Sequence, residues 1–224
     1  MVIKQFPPVE ASDEQGLLAI GGDLEIESLL LAYRSGIFPW PLNEKILAWF
    51  SPPRRAILRL ANFRIPISLK KALKKAGFTN RFDADFPAVI NHCAAAKNRK
   101  GQRGTWITDE LISAYIALNG AGIAHSVETY LDEQLVGGLY GVSIESFFAG
   151  ESMFYLESNA SKAALVTLMQ HLEQHGVEWI DCQVMTPHLK QLGAEEIERD
   201  EYLDLLANAL SRPAKPFADI KNPG

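Results

Sequence analysis

Cysteine is scarce in this sequence. Only Cys93 and Cys182 occur among its 224 residues, which is too few for a disulfide framework, and the two are not spaced as metal ligands are. We expect both to be reduced side chains that pack in the interior. A glycine-rich phosphate motif, a metal-ligand cluster and a Ser-His-Asp signature are also missing. The sequence therefore predicts no metal site and no cofactor.

Long apolar runs are absent as well. No uninterrupted apolar stretch reaches the roughly 18 residues that a membrane span needs, and the first twelve residues, MVIKQFPPVEAS, contain no continuous apolar segment. We therefore expect a cytoplasmic protein with no membrane contact. An excess of positive charge is missing too, since the formal net charge is -5. This excludes a broadly basic nucleic-acid binder, so any nucleic-acid site must be a local patch.

What is present is the balance of a soluble globular protein, with 47% hydrophobic and 22% charged residues. Helical spacing follows Asp23, a predicted N-cap, and ends at Gly36. A second helix is predicted from an N-cap at Ser68 to Gly77, and a third after the N-cap Thr108. Between the first two, "GIFPWPLNEKILAWFSPPRRAIL" carries four prolines and predicts an ordered loop with a short strand.

Beyond residue 123 the pattern changes to strands. "AHSVETYL", "QLVGGLYGVSI" and "SFFAGESMF" predict three successive strands, the first two joined by a tight "DEQ" turn. A helix follows Asn159 and ends at Gly176, and "VEWIDCQV" returns as a strand. This order predicts a mixed sheet flanked by helices, an α/β fold of the α+β type. We place a loose boundary near residue 80, between a small N-terminal α/β domain (1–80) and a C-terminal domain (81–224).

Positive charge is concentrated in two places. Four lysines share the solvent side of the helix predicted from Ser68: Lys70, Lys71, Lys74 and Lys75. A second basic run precedes Trp106 and comprises Lys97, Arg99, Lys100 and Arg103. Lysines on a helix most often form a solvated face, and the tryptophans Trp40, Trp49 and Trp106 taken singly most often pack in a core. Together, however, these groups are candidates for binding phosphates and stacking on bases.

Carboxylates occur in two apolar segments. Glu151 follows two phenylalanines and precedes Met153, so it either lies at an apolar cleft as a cation-binding or acid-base group, or forms a structural salt bridge. In "VEWIDCQV" the period of two places Trp179, Asp181 and Gln183 on one face of the strand. That face is either solvated or functional, because burying a carboxylate and an amide requires hydrogen-bonded partners.

Nine segments, in order from about residue 16 to residue 202, resemble the bacterial leucyl/phenylalanyl-tRNA protein transferases. They are "GLLAIGGDL", "YRSGIFPW", "WFSPPRRAIL", "GTWIT", "AHSVE", "LVGGLYGV", "FFAGESMF", "NASKAAL" and "IDCQV". The resemblance implies a small N-terminal domain and a C-terminal domain with an acetyltransferase-like fold. It also implies transfer of Leu or Phe from Leu-tRNA or Phe-tRNA to the α-amino group of proteins that begin with Arg or Lys, which marks them for degradation. We expect a monomer, because a tRNA and a protein must reach one cleft.

The resemblance also implies roles for individual residues on the substrate side. Trp40 and Trp106 would hold the terminal adenosine of the tRNA, with Tyr115 nearby. Glu151 would receive the cationic end of the acceptor protein. The pocket for the Leu or Phe side chain would comprise Phe148, Ser152, Met153 and Leu168, the last of which replaces an aromatic residue that family members commonly carry.

Asp181 and Gln183 resemble the catalytic pair of the family. The reaction is the aminolysis of an activated ester, and our hypothesis is that Gln183 orients the attacking amine while Asp181 polarises it. The lysines of the Ser68 helix would contact phosphates of the acceptor stem without reading its sequence.

Two other functions are weighed against this one. An acyl-CoA-dependent N-acetyltransferase on the same fold would need a pyrophosphate-binding turn, and no glycine-rich run of that kind stands at Asn159. A non-catalytic RNA-binding module would explain the lysines and tryptophans, but it leaves Glu151, Asp181 and Gln183 without a purpose.

Overall fold

The structure, a computed structural model, describes residues 2–96 and 106–220. Within these ranges a small sheet precedes a larger one in the chain. The small sheet has three antiparallel strands in the order β1-β3-β2, which are Leu17–Ile20 (β1), Phe38–Pro39 (β2) and Ala48–Phe50 (β3). Helix α1 (Ile26–Arg34) connects β1 to β2.

Seven strands form the larger sheet. They are β4 (Arg54–Arg59), β5 (Thr79–Phe82), β6 (Ala124–Leu131), β7 (Gln134–Ile144), β8 (Phe147–Tyr155), β9 (Trp179–Gln183) and β10 (Glu195–Glu198), in the order β10-β4-β9-β8-β7-β6-β5. Neighbours are antiparallel except β8 and β9, which are parallel. The mixed sheet predicted from the sequence is therefore confirmed.

Helices cover both faces of the larger sheet. The remaining helices are α2 (Ile67–Lys75), α3 (Phe86–Ala95), α4 (Asp109–Gly120), α5 (Ala160–Gln174), α6 (Pro187–Leu192) and α7 (Arg199–Ser211). One apolar core joins α1, α3, α4 and α7 to one face, and a second core joins α5 to the other. Because β8 and β9 are parallel, the chain must cross between them, and α5 makes that connection.

The three predicted strands of the meander are confirmed as β6, β7 and β8. Asp132 and Glu133 form the tight turn between the first two, with φ angles of 48° and 60°. Two successive positive φ angles characterise the type I′ turn, whose twist matches that of the flanking strands.

The predicted alternation of β9 is confirmed for Trp179 and Ile180, which pack in different cores. It is wrong for Gln183, because a register shift at Cys182 leaves Gln183 on the side of Ile180 and Cys182 and not on that of Asp181.

The predicted helix after Thr108 is confirmed together with its cap, because the Thr108 hydroxyl accepts a hydrogen bond from the Leu111 N–H at 3.3 Å. Two other predicted caps are wrong. Helix α1 begins after Glu25, while the carboxylate of Asp23 binds the Glu25 N–H and the Ser28 hydroxyl and so fixes the preceding turn.

Helix α2 begins two residues earlier than predicted, since its N-cap is Pro66 and not Ser68. Pro66 occupies the N-cap position with a φ of -54°, and no side chain among the described residues caps the first turn.

The proline-rich segment contains more strand than predicted. It forms β2, β3 and β4 where the sequence predicted one short strand. Prolines are compatible with the edge and the ends of strands, and Pro39 lies in the two-residue edge strand β2. Trp49 packs in the core with 1% of its surface exposed, and its indole N–H donates to the Gly21 carbonyl, so core packing is the correct interpretation for this tryptophan.

Other features of the chain bear on the predictions. Both cysteines are free and buried, as expected. No helix in the described ranges is both long and apolar enough to span a bilayer. The domain boundary near residue 80 stays a prediction; β4 precedes it in sequence and pairs with β9, which follows it. Strands β1, β5 and β10 and helices α3, α6 and α7 were not predicted.

Candidate active site

A cavity of about 870 Å³ opens where β8 and β9 diverge. These two parallel strands pair at a single position, Ala149 with Asp181. A register shift in β8 leaves Glu151 opposite no residue of β7, and a shift in β9 leaves Cys182 opposite no residue of β4. Bulges of this kind re-aim side chains beside active sites. The cavity is therefore bounded by two bulged strands.

Much of the cavity wall is apolar. Its aliphatic lining includes Leu58, Leu139, Met153, Leu165, Leu168 and Ile180. Three of the predicted pocket residues, Ser152, Met153 and Leu168, line this cavity. The fourth, Phe148, is fully buried behind it, against Gly141 and the ring of Phe217, and does not line the cavity. The sequence placed Phe148 correctly in the apolar region but could not distinguish wall from core.

Two tryptophans line the cavity beside this wall. The rings of Trp40 and Trp106 stack on each other, with centroids 5.1 Å apart and planes at 23°. Both side chains are partly exposed, so each presents aromatic surface to a ligand. Tyr115, which the resemblance placed near them, is fully buried in α4 and its hydroxyl instead contacts Glu151.

Glu151 is held by two tyrosines. The Tyr33 hydroxyl donates to Oε1 at 2.7 Å, the Tyr115 hydroxyl donates to Oε2 at 3.2 Å, and the two hydroxyls also contact each other. The carboxylate is half-buried and lines the cavity. Its partners are tyrosine hydroxyls from α1 and α4, so it is free to meet a cation from the cavity.

Burial raises the pKa of the Glu151 carboxyl to about 7, against the opposing effect of the tyrosine hydrogen bonds. The nearby Asp181 carboxylate raises this pKa further. Burial also keeps the pKa values of Tyr33 and Tyr115 well above the usual value, so both remain protonated donors. Sequence reasoning missed Tyr33, because its position on the apolar face of α1 predicted core packing.

Asp181 lies behind the cavity and has no exposed surface. Its Oδ1 accepts hydrogen bonds from Arg55 Nε and the Gln183 N–H, each at 2.9 Å. Its Oδ2 accepts from Arg55 Nη2 at 2.7 Å and from the Tyr202 hydroxyl at 3.0 Å. The carboxylate is thus engaged by protein donors on both oxygens and does not line the cavity.

Gln183 lines the cavity at the end of β9. It has a φ of 57°, the left-handed region that non-glycine residues rarely occupy. The side-chain amide nitrogen is buried and has no hydrogen-bond partner in the described part of the chain. Buried polar groups are normally paired, so this donor lacks a partner that such a group usually has. Its neighbour Cys182 also lines the cavity, but burial raises the pKa of the thiol, which keeps it protonated.

The lysines of α2 are exposed, as predicted: Lys70, Lys71, Lys74 and Lys75. No ion pair joins any of them to an acidic side chain in the described ranges. The second predicted basic run, Lys97, Arg99, Lys100 and Arg103, lies outside the described residues.

Solved structures with similarity to this chain have low identity. One is L-PGS from Bacillus licheniformis, at 15% identity and a TM-score of 0.42, where the match covers 76% of this chain and 54% of that one. Another is a GCN5-related N-acetyltransferase from Kribbella flavida, at 14% identity and a TM-score of 0.39, covering 74% of this chain and 58% of that one.

Sequence relatives are much closer. Residues 57–207 match the sequence model described as leucyl/phenylalanyl-tRNA protein transferase, and residues 22–53 match that of its N-terminal domain. Proteins of that name from Shewanella piezotolerans and Thiobacillus denitrificans are 47% and 50% identical. The first match covers 95% of this chain and 90% of the relative, the second 94% and 92%. The chain therefore belongs to the leucyl/phenylalanyl-tRNA protein transferase family and is an aminoacyltransferase.

Proposed function

We propose that this enzyme transfers Leu or Phe from aminoacyl-tRNA to the α-amino group of proteins that begin with Arg or Lys. The observation that carries the proposal is the presence of Glu151 in a cavity that also has an aliphatic wall. The wall suits the side chain of Leu or Phe, and the carboxylate suits the cationic side chain of an acceptor. The new N-terminal residue would serve as the degradation signal that the family resemblance implies.

The donor side of the proposal uses the stacked tryptophans. An aromatic plane can stack on any base, so Trp40 and Trp106 would hold the terminal adenosine of Leu-tRNA or Phe-tRNA. The same cavity contains the aliphatic wall, which would place the esterified amino acid within reach of the acceptor. The lysines of α2 would contact phosphates of the acceptor stem. We further propose a monomer in the cytoplasm, where one cavity receives both substrates.

The reaction is attack by a neutral amine on an ester carbonyl, which forms a C–N bond and a tetrahedral oxyanion. The C–O bond to the ribose then breaks, and the proton that the amine loses ends on the departing ribose oxygen. Positioning alone can lower such a barrier by about 7 to 11 kcal/mol. The primary amide of Gln183 would act at the reacting atoms, with its oxygen orienting the amine and its unpartnered nitrogen donating to the oxyanion. Asp181, engaged by Arg55 and Tyr202, would act on the amine only through Gln183.

Transfer of labelled Leu and Phe from charged tRNA tests this function. Acceptor peptides that begin with Arg, Lys or Ala are compared, with labelled acetyl-CoA as a control donor. The proposal predicts transfer to the Arg and Lys peptides and none to the Ala peptide, with no acetyl transfer. Acetyl transfer, or equal labelling of all three peptides, would refute it.

A further inference from the structure

An arginine lies buried behind the cavity and connects four elements of the fold. Arg55 of β4 donates through Nη1 to the Gly36 carbonyl at the end of α1, at 3.0 Å. Its Nε and Nη2 donate to the two carboxylate oxygens of Asp181 in β9. Arg55 has 1% of its surface exposed. Such a two-point contact fixes the plane of the carboxylate as well as its position.

Two aromatic rings lie against the guanidinium of Arg55. Its central carbon lies 4.6 Å from the centroid of Phe38 and 4.4 Å from that of Tyr202 in α7. The Tyr202 hydroxyl accepts from Arg55 at 3.2 Å and donates to Asp181 at 3.0 Å. Neither Arg55 nor Tyr202 lines the cavity, so their hydrogen bonds reach it through Asp181, while the charge of Arg55 also lowers the pKa of Glu151.

Asp181 connects Arg55 and Tyr202 to Gln183. Its Oδ1 accepts the Gln183 N–H at 2.9 Å, across the bulge in β9. A left-handed backbone at a non-glycine residue costs of the order of 1 to 3 kcal/mol and persists only where the surroundings enforce it. The bond to Asp181 supports it here, together with the hydrogen bond from the Val184 N–H to the Cys182 carbonyl at 2.7 Å, and this conformation sets where the Gln183 amide lies in the cavity.

We infer that Arg55 and Tyr202 are positioning residues for the transfer reaction, which hold Asp181 and thereby fix the Gln183 amide in the cavity. The inference rests on the proposed role of Gln183 in that reaction. In this role Asp181 is a fixed negative charge that orders the site, and it does not exchange protons with substrate.

A double-mutant cycle on Tyr202 and Gln183 tests the inference. Tyr202→Phe keeps the ring and removes the hydroxyl. It should lower kcat about tenfold, the size of one hydrogen bond to a charged group, with KM for both substrates unchanged. In the Gln183→Ala background the same change should alter kcat less than about twofold, because residues that act through each other are not additive. Arg55→Lys, which keeps the charge and loses the fork, should repeat both results.

Tyr130→Phe is the matched control, since Tyr130 is a buried tyrosine of β6 outside this network, and its kcat should equal that of the wild type. Wild-type transfer, measured in the same series, reports separately on the proposed function. An equal loss from Tyr202→Phe with and without Gln183 would overturn the inference. A lower melting temperature with unchanged kcat would overturn it as well, because the tyrosine would then be structural only.

Discussion

At the scale of single residues, the site contains a carboxyl group that titrates near neutral pH. The pKa of Glu151 is about 7 because burial disfavours its charge. Below that pH the carboxyl group is mostly neutral and attracts a cation weakly. Above that pH it is mostly ionised and attracts a cation strongly. We therefore expect KM for a peptide that begins with Arg to fall as the pH rises from about 6 to about 8.

Measuring KM across this range in wild type and in Glu151→Gln isolates the effect. The α-amino group of the acceptor also titrates, ordinarily just below pH 8, and its deprotonation should raise the rate in both enzymes. Only the wild type should show the additional fall in KM. If Glu151→Gln showed the same fall, the titrating group would lie elsewhere.

Gln183 carries the second prediction at this scale. Gln183→Glu keeps an acceptor oxygen and the shape of the side chain but removes the N–H donor whenever the new carboxyl is ionised. If the amide nitrogen stabilises the oxyanion, kcat should fall by about 100-fold to 1,000-fold, and the loss should deepen as the pH rises. Single-turnover rates across a pH series provide the measurement. A rate that is kept, or that increases with pH, would show that the side chain acts as a proton acceptor.

At the scale of elements, the glycines of β7 allow neighbouring elements to approach closely. A Cβ at Gly141 would lie 2.3 Å from the Ala149 carbonyl oxygen and 2.6 Å from the Phe148 ring. Both neighbours are fully buried, and Ala149 is the residue that pairs with Asp181. This packing explains the glycines in "GGLYG" without any phosphate-binding role.

Gly141→Ala should therefore destabilise the protein by about 1 to 3 kcal/mol, the usual cost of overpacking a core. Urea unfolding measures the change. Gly120→Ala is the control, because a Cβ at the end of α4 meets nothing within 4 Å; it should leave stability unchanged or raise it by up to about 1 kcal/mol. Equal stability of the two variants would contradict the close approach of β7 and β8.

Helix α2 carries an element-scale prediction about tRNA. Changing Lys70, Lys71, Lys74 and Lys75 to Ala should weaken binding of aminoacyl-tRNA and flatten its dependence on salt, by a slope of about one for each lysine that contacts a phosphate. Binding titrations at several salt concentrations measure the slope. The exposed Lys4 offers a control, and Lys4→Ala should leave the slope as it is. An unaltered slope in the quadruple variant would remove α2 from the tRNA site.

At the scale of the whole molecule, the sequence predicted best where periodicity is strong. The alternating segments of β6, β7 and β8 and the turn at Asp132 follow from local pattern alone. The caps predicted at Asp23 and Ser68 were wrong. Asp23 binds the Glu25 N–H in the turn before α1, and the N-cap of α2 is Pro66. The strands of the proline-rich segment depend on distant partners such as β9, which local pattern does not reveal.

The candidate site was predictable in residue type more than in arrangement. Glu151, Asp181 and Gln183 stood out as polar groups in apolar segments. Their partners Tyr33 and Arg55 did not, because an arginine followed by "AIL" and a tyrosine on a helix face are ordinary features in sequence. Only folding brings α1, β4 and α7 to the back of the cavity, where these side chains meet the carboxylates.

The most direct test of the account compares two acceptors that differ only in charge. Peptides that begin with Lys or with 2-aminoheptanoic acid, in which a methyl group replaces the ammonium, have side chains of the same length, and kcat/KM is measured for both with wild type and Glu151→Gln. We predict that wild type prefers the Lys peptide by at least about thirtyfold, the lower end for a partly buried charge pair, and that the variant loses this preference. A wild type without the preference, or a variant that keeps it, would contradict the account.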